Sequence, residues 1–95
     1  MKDSNPFNPR IVCMDGFSVS VQSHSAAYCI PRQAEGPHTH YECGFPSSVP
    51  LSKSLREYAE NDLEYTETVY PYVPRQVIEQ ELDLHGGIQS GEIPY

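Results

Sequence analysis

Hydrophobic and polar residues alternate with a period of two in the first part of the chain. Phe17, Val19 and Val21 alternate with serine and glutamine, which predicts a strand with one buried face. The dipeptide Asp15-Gly16 lies between this segment and the apolar residues 11–13. It predicts a β-hairpin closed by a type I′ turn, because asparagine or aspartate followed by glycine tolerates the positive φ values that such a turn needs.

The same alternation continues in HTHYEC, residues 38–43, and predicts a third strand. Successive side chains of a strand point to opposite faces. We therefore expect Thr39, Tyr41 and Cys43 to face the interior, and His38 and His40 to face solvent.

A fourth strand is predicted at TETVYPYVP, residues 66–74. Pro71 lacks an amide hydrogen, so this strand should lie at a sheet edge or carry a bulge. An exposed edge here would allow a homodimer to form by strand pairing.

Two segments have helical spacing. SSVPLSKSLREYAEN, residues 47–61, is predicted to be a helix capped by Ser48. PRQVIEQELDLHGG, residues 74–87, is predicted to begin at Pro74 and to end at Gly86, a residue suited to the left-handed conformation of a helix stop.

The resulting order, β-β-β-α-β-α, predicts an α+β fold. We expect a small, mainly antiparallel sheet of about four strands with two helices on one face. The predicted organisation is an irregular N-terminal arm at 1–10, a single domain at 11–88 and a C-terminal tail at 89–95.

Charge narrows the classes of partner. Thirteen acidic and six basic residues give a net charge of −7. Such a chain is poorly suited to bind nucleic acid directly, because that requires Lys and Arg against phosphates. It is equally unsuited to anionic membranes. The sequence has no apolar run of about 20 residues, and its first residues lack the apolar region of a signal peptide, so we expect a soluble intracellular protein.

The acidic residues are concentrated in EYAENDLEYTE, residues 57–67, which contains no basic residue. Interleaved tyrosines offer rigid contact area, and carboxylates steer a basic partner. The partner-binding candidates are therefore Glu57, Tyr58, Glu60, Asp62, Glu64, Tyr65 and Glu67. A second acidic set, Glu79, Glu81 and Asp83, lies on the last predicted helix.

The three cysteines are an odd number, which is typical of reduced thiols rather than of a disulfide scaffold. We interpret them as small core residues. Cys29, His38 and His40 are the runner-up candidates for a metal site, but their spacing lacks the short ligand pairs of structural zinc sites. No recognisable nucleophile turn or glycine-rich loop is present. We therefore expect no metal, no cofactor and no enzymatic activity.

The segment AYCIPRQAEGPH, residues 27–38, is predicted to be a loop, and binding residues often lie on loops. Tyr28 and Arg32 are its candidate binding residues.

The linear pattern DGFSVSVQ … YCIPR … GFPS … LREYAE … TVYPYVP … HGG resembles small uncharacterised proteins encoded by bacteriophages and prophages. The resemblance implies an accessory protein that acts in the cytoplasm of a host bacterium. With the acidic surface, it suggests a non-enzymatic protein that binds a host protein with a basic surface and inhibits a defence system, as anti-CRISPR proteins do. The alternatives are a small metal- or ligand-binding domain that uses residues 23–43, and a minor virion or assembly protein.

Overall fold

Five short strands form one antiparallel sheet in the computed structural model of the chain, which describes residues 7–95. The strand order is β4-β3-β2-β1-β5. The strands are β1 (Ile11–Cys13), β2 (Ser18–Gln22), β3 (His40–Gly44), β4 (Val69–Pro74) and β5 (Ile88–Ser90), and the helices are α1 (Lys53–Arg56) and α2 (Arg75–Leu84). The predicted α+β class with an antiparallel sheet is confirmed.

The predicted strand number was wrong, because residues 88–90 form a fifth strand. β5 pairs with β1 through Val12 and Cys13. The segment predicted as a tail at 89–95 therefore contains the end of a strand and also Ile93, which is part of the core. Of the arm predicted at 1–10, residues 1–6 lie outside the described part. Asn8 is tied to the sheet, since its backbone N–H donates to Gln22 Oε1 at 2.7 Å.

The hairpin predicted at Asp15-Gly16 is present and joins β1 to β2. Its turn is not type I′, because Gly16 has φ of +94° whereas Asp15 does not have a positive φ. The Gly16 N–H donates to the Cys13 carbonyl oxygen at 3.0 Å. Asp15 is held instead by the C-terminal end of α2, where its backbone N–H donates to the His85 carbonyl oxygen at 3.2 Å.

One hydrophobic core lies against the sheet, and both helices contribute to it. Leu55 of α1 and Ile78 and Leu82 of α2 pack with the buried residues of β1 to β4. All three cysteines are buried and free, as predicted. The buried strand residues in this cluster are Ile11, Cys13, Val19, Val21, Tyr41, Cys43, Tyr70 and Val73.

The alternation predicted for HTHYEC holds only from His40 onward. Tyr41 and Cys43 are buried, but Thr39 is exposed and His38 is only 7% exposed, so the predicted positions of Thr39 and His38 were wrong. The reason is that β3 begins at His40. The two preceding residues belong to a loop, where period-two alternation does not apply.

β4 lies at one edge of the sheet and also carries an irregularity, as Pro71 predicts. Tyr41 pairs with Val73 and Cys43 pairs with Tyr70, so β4 has one residue more than β3 over this interval. A bulge of this kind lets Tyr70 and Val73 both point into the core. It leaves Tyr72 exposed, with φ of +54°.

The first predicted helix is shorter than its periodicity suggested, whereas the second matches. α1 covers only Lys53–Arg56, and its cap is Ser52 rather than Ser48. The Ser52 hydroxyl accepts from the Leu55 N–H at 3.1 Å. α2 has Pro74 as its N-cap and is followed by Gly86 with φ of +87°, as predicted.

Candidate functional site

The acidic loop, residues 57–67, connects α1 to β4 through a series of turns instead of continuing the helix. Its carboxylates are exposed, and none of them forms an ion pair within residues 7–95. They are Glu57, Glu60, Asp62, Glu64 and Glu67. Leu63 lies among them with 85% of its surface exposed. The loop thus presents five negative charges around one apolar side chain.

Hydrogen bonds hold the acidic loop in a defined shape. The Glu60 N–H donates to the Val69 carbonyl oxygen at 3.0 Å, and the Asn61 N–H donates to Thr68 Oγ1 at 3.1 Å. The Tyr70 hydroxyl, which comes from the core, donates to the Tyr65 carbonyl oxygen at 2.6 Å. A loop fixed in this way loses less conformational entropy when it binds.

Two structural features affect how much of this loop is exposed and how strongly it is charged. Tyr58 and Tyr65 are half-buried and pack against the core, so only part of each side chain is exposed. Lys53 and Arg56 line a depression beside the loop together with Asp62, although no basic residue lies within 57–67 itself. Two basic side chains therefore lie close to part of the acidic loop.

A second exposed feature, the aromatic patch, consists of Tyr28, Arg32 and Tyr72. The Tyr28 and Tyr72 rings lie 5.9 Å apart at 41°, and the Arg32 guanidinium carbon lies 5.3 Å from the Tyr28 ring centroid. The structure thus brings together the two loop candidates, Tyr28 and Arg32, and adds Tyr72, which the sequence did not indicate. Tyrosine and arginine are the residues most often found at binding hot spots.

The sheet fixes the aromatic patch from both sides. The Tyr28 N–H donates to Glu42 Oε1 on β3 at 2.8 Å, and the Tyr28 carbonyl oxygen accepts from the Tyr72 N–H on β4 at 3.1 Å. Tyr72 adopts the left-handed conformation, which costs a residue with a Cβ about 1–2 kcal/mol. The Tyr72 ring is exposed and lies beside that of Tyr28.

The runner-up metal candidates occupy three different environments. The Cys29 thiol lies 3.4 Å from the His24 carbonyl oxygen and 3.3 Å from that of Pro31. His38 is buried with Nε2 against a carbonyl oxygen, while His40 is half-exposed and bonded to Thr39. Over residues 7–95, no group of three His, Cys, Asp or Glu side chains is arranged to hold a metal ion.

Sequence reasoning missed a network in which the buried His85 contacts two carboxylates, the buried Glu81 and the half-exposed Asp15. His85 Nε2 lies 2.8 Å from Glu81 Oε2, and Nδ1 lies 2.7 Å from Asp15 Oδ2. The Phe17 ring stacks on the imidazole at 3.8 Å. Glu81, which the sequence grouped with the acidic residues Glu79 and Asp83, is only 1% exposed, whereas those two are on the surface. The signal in the sequence that could have revealed part of this network is the spacing of Glu81 and His85, which are four residues apart and so lie on one helix face.

Glu81 is buried because it serves as an acceptor for backbone groups. Besides His85, its carboxylate accepts from the Leu51 N–H at 2.8 Å and the Ser52 N–H at 2.9 Å. Since ionised carboxylates only accept, the imidazolium form of His85 can donate to both acids. The network therefore links α2 to the start of α1 and to the hairpin turn.

A buried thiol and a half-exposed carboxylate near this network have shifted pKa values. The nearby Cys13 thiol has its pKa raised by burial, and further by the negative charges of Asp15 and Glu81. A thiol in that environment stays protonated, so it lacks the thiolate that nucleophilic catalysis requires. The pKa of Asp15 is lowered, first by the Phe17 N–H that donates to its carboxylate and then by His85.

Comparisons of the chain with protein-family models, with curated proteins and with solved structures gave no significant match. Among the helices described here, none has the length and apolar character needed to span a membrane.

Proposed function

We propose that this chain is a non-enzymatic binding protein that recognises the basic surface of another protein. The observation that carries the proposal is the acidic loop, which presents five exposed carboxylates on a backbone fixed by hydrogen bonds. Charges arranged in this way steer a partner of opposite charge and raise the association rate more than the affinity.

The aromatic patch supplies the contacts that exposed charges do not. Tyr28 and Tyr72 are each about 40% exposed, at 39% and 41%, so a partner has ring surface to cover. Their positions are set before binding by the hydrogen bond between the Tyr72 N–H and the Tyr28 carbonyl oxygen. Fixed aromatic side chains contribute binding energy at a small entropic cost.

A narrower form of the proposal is that the chain is a phage accessory protein that inhibits a bacterial defence system. The sequence resemblance supports the phage context, and the charge supports the type of target. Defence nucleases of the CRISPR type hold nucleic acid in a positively charged channel. A fixed acidic loop has the charge needed to compete for such a channel without itself binding nucleic acid.

Affinity purification from a bacterial host tests the general proposal. The wild-type chain should retain a protein that mass spectrometry identifies and that salt releases, since the Debye length falls from about 10 Å at 0.1 M to about 3 Å at 1 M ionic strength. Reversal of Glu60, Asp62 and Glu64 to Lys should abolish retention. The matched control reverses three exposed acids elsewhere, Glu79, Asp83 and Glu92, and should keep the partner.

Equal retention by the acidic-loop variant and the wild type at moderate salt would contradict the role of the loop. Once the partner is identified, Tyr28→Ala and Arg32→Ala should each weaken binding by about thirtyfold, which corresponds to about 2 kcal/mol for a hot-spot residue. Their melting temperatures should match that of the wild type. The narrower proposal predicts that expression of the chain restores plaque formation by a phage that the host's CRISPR system otherwise targets.

A further inference from the structure

The aromatic patch has polar groups that the described part of the chain does not satisfy. Tyr28 and Tyr72 are 39% and 41% exposed, and Arg32 is exposed as well. Over residues 7–95, neither tyrosine hydroxyl forms a hydrogen bond, and the Arg32 guanidinium group forms neither a hydrogen bond nor an ion pair. Because phenol and guanidinium groups can both donate, the patch combines aromatic surface with unused hydrogen-bond donors.

The backbone at the patch has an unusual conformation. The ring planes of Tyr28 and Tyr72 are tilted by 41° with their centroids 5.9 Å apart, so the two rings do not stack on each other. Tyr72 has φ of +54°, which is an outlier for a residue with a bulky side chain. Residues in such conformations are concentrated at functional sites, where the surrounding structure maintains them. The patch therefore has the features of a preformed binding surface.

A β-strand from a partner fits this edge of the sheet poorly. β4 is the edge strand, but the Tyr72 N–H already donates to the Tyr28 carbonyl oxygen at 3.1 Å. On the same strand, the Val69 carbonyl oxygen accepts from the Glu60 N–H at 3.0 Å. Strand addition relies on free backbone groups along the edge, and these two groups are occupied.

An amphipathic helix is also a poor match for the patch. A helix bonds its backbone carbonyl groups internally and binds through its apolar face. Against an apolar face, the two tyrosine hydroxyls and the Arg32 guanidinium group would lose water without gaining an acceptor. Each group left unsatisfied in this way would cost free energy.

Charge argues against an anionic ligand. Arg32 is the single cation of the patch, whereas the chain carries a net charge of −7. An acid also adjoins the patch, because the Glu42 carboxylate accepts from the Tyr28 N–H at 2.8 Å. These negative charges repel phosphates and carboxylates. Uncharged acceptors such as peptide carbonyl oxygens are not repelled.

A proline-rich segment supplies the acceptors that the patch lacks. In the polyproline II conformation the backbone has no internal hydrogen bonds, so its carbonyl oxygens are free to accept. Proline has no N–H, and such a segment therefore places few donors against the donors of the patch. Aromatic-lined surfaces bind segments of this kind in several classes of protein, because the segment loses little conformational entropy on binding.

We infer that the aromatic patch binds a proline-rich segment of the partner protein in the polyproline II conformation. Proline rings contact the rings of Tyr28 and Tyr72, and carbonyl oxygens of the segment accept from the tyrosine hydroxyls and from Arg32. This inference rests on the proposed function and deepens it, because it specifies the part of the partner that covers the patch. The acidic loop keeps its separate role of steering the basic surface of that partner.

Nuclear magnetic resonance of the isotope-labelled full chain tests the inference, with an acetylated and amidated decamer of L-proline as the probe. At millimolar concentration, this peptide should shift the backbone signals of Tyr28, Arg32 and Tyr72, and it should leave those of Asp62 and Glu64 in place. The matched control is the decamer of D-proline, which has the same composition but forms the mirror-image helix. It should bind about tenfold more weakly or not at all.

Three variants test the groups assigned to the patch. Tyr72→Ala removes a ring and should weaken binding of the L-proline decamer by about tenfold. Tyr28→Phe keeps the ring but removes the hydroxyl, and it should weaken binding by about fivefold, the effect of one neutral hydrogen bond. Arg32→Ala should have an effect of at least that size. Tyr95→Ala is the control and should leave binding unchanged, since Tyr95 is 77% exposed but does not belong to the patch.

The inference is overturned if the L-proline decamer causes no shifts at the patch, or if the D-proline decamer binds as tightly. It is also overturned if Tyr28→Phe and Arg32→Ala bind the L-proline decamer as the wild type does. These two variants decide the question if Tyr72→Ala does not fold. Failure of the proposed function would appear separately, as equal retention of the partner by the acidic-loop variant in the affinity purification.

Discussion

Replacement of Glu81 by alanine measures how much the buried network around His85 contributes to stability. The substitution removes the acceptor for three donors, namely the Leu51 N–H, the Ser52 N–H and His85 Nε2, which lie 2.8, 2.9 and 2.8 Å from the carboxylate. Two of these bonds, those of Ser52 and His85, are buried. They therefore lose their partners without access to bulk water.

The expected loss of unfolding free energy follows from these contacts. An unsatisfied buried donor costs about 1–3 kcal/mol. The three bonds share one carboxylate, so their losses overlap and we expect about 3–5 kcal/mol in total for Glu81→Ala. That is a large part of the roughly 5–15 kcal/mol by which a domain is stable. Glu81→Gln keeps one acceptor oxygen and should lose less, about 1–3 kcal/mol.

Urea unfolding at neutral pH, followed by far-ultraviolet circular dichroism and tyrosine fluorescence, provides the measurement. The matched control is Glu79→Ala on the same helix, because Glu79 is exposed and contacts Arg75 at 3.2 Å. It should lose less than about 1 kcal/mol, as exposed ion pairs do. A Glu81→Ala loss equal to that of Glu79→Ala would refute the view that the buried carboxylate organises this part of the fold. If Glu81→Ala does not fold, the Gln variant still separates the two outcomes.

Three further predictions concern single features of the structure. The pKa of Asp15 is lowered in the folded state, chiefly by the Phe17 N–H that donates to its carboxylate. The ionised carboxylate therefore stabilises the fold fully at pH values above the ordinary aspartate pKa of 3.8. This stabilisation is lost as the pH falls through the lower pKa of the folded state. Asp15→Asn should therefore flatten the acid side of a plot of melting temperature against pH. Glycine adopts the left-handed conformation without strain, so Tyr72→Gly should be at least as stable as Tyr72→Ala in thermal unfolding, with a gain of up to about 1 kcal/mol. Burial raises the pKa of the Cys43 thiol, so the native chain should react slowly with a thiol reagent that modifies all three cysteines after unfolding.

Each of these predictions has a control or a contrary outcome. Asp83 is exposed, so Asp83→Asn should leave the acid dependence as it is in the wild type. A Tyr72→Gly variant less stable than Tyr72→Ala would mean that backbone strain at this position is negligible. Rapid modification of native protein at Cys43 would show that its strand opens far more readily than its burial implies.

Local sequence patterns correctly predicted those elements that are formed by contacts between residues close together in the sequence. The spacing and end signals of α2 are sequential, and Pro74 and Gly86 mark its limits correctly. The β1–β2 hairpin is equally local. Its turn type differs from the prediction, and Asp15 is bonded not only to the nearby Phe17 N–H but also twice to His85, which is distant in sequence. α1 ends at Arg56, where the chain turns. The helical spacing of apolar residues does not indicate where such a turn begins.

Features formed by residues that are distant in sequence could not be predicted from local sequence patterns. β5 has three exposed residues and forms only because the edge of β1 is available to it. The aromatic patch needs the bulge of β4 to bring Tyr72 beside Tyr28. Glu81 resembles its exposed neighbours on α2 in type and charge, and its burial follows from backbone donors on another segment.

The position of the acidic loop depends on this same buried network. Glu81 accepts the N–H groups of Leu51 and Ser52, and Ser52 caps α1, whose last residue, Arg56, directly precedes the loop. At the other end, the loop is closed by the Tyr70 hydroxyl, which is fixed in the core by β4. Both ends of the charged surface are therefore set by buried groups that no partner touches. It follows that Glu81→Gln, under conditions where it remains folded, should weaken partner binding although every exposed carboxylate is retained, whereas Glu79→Gln should not.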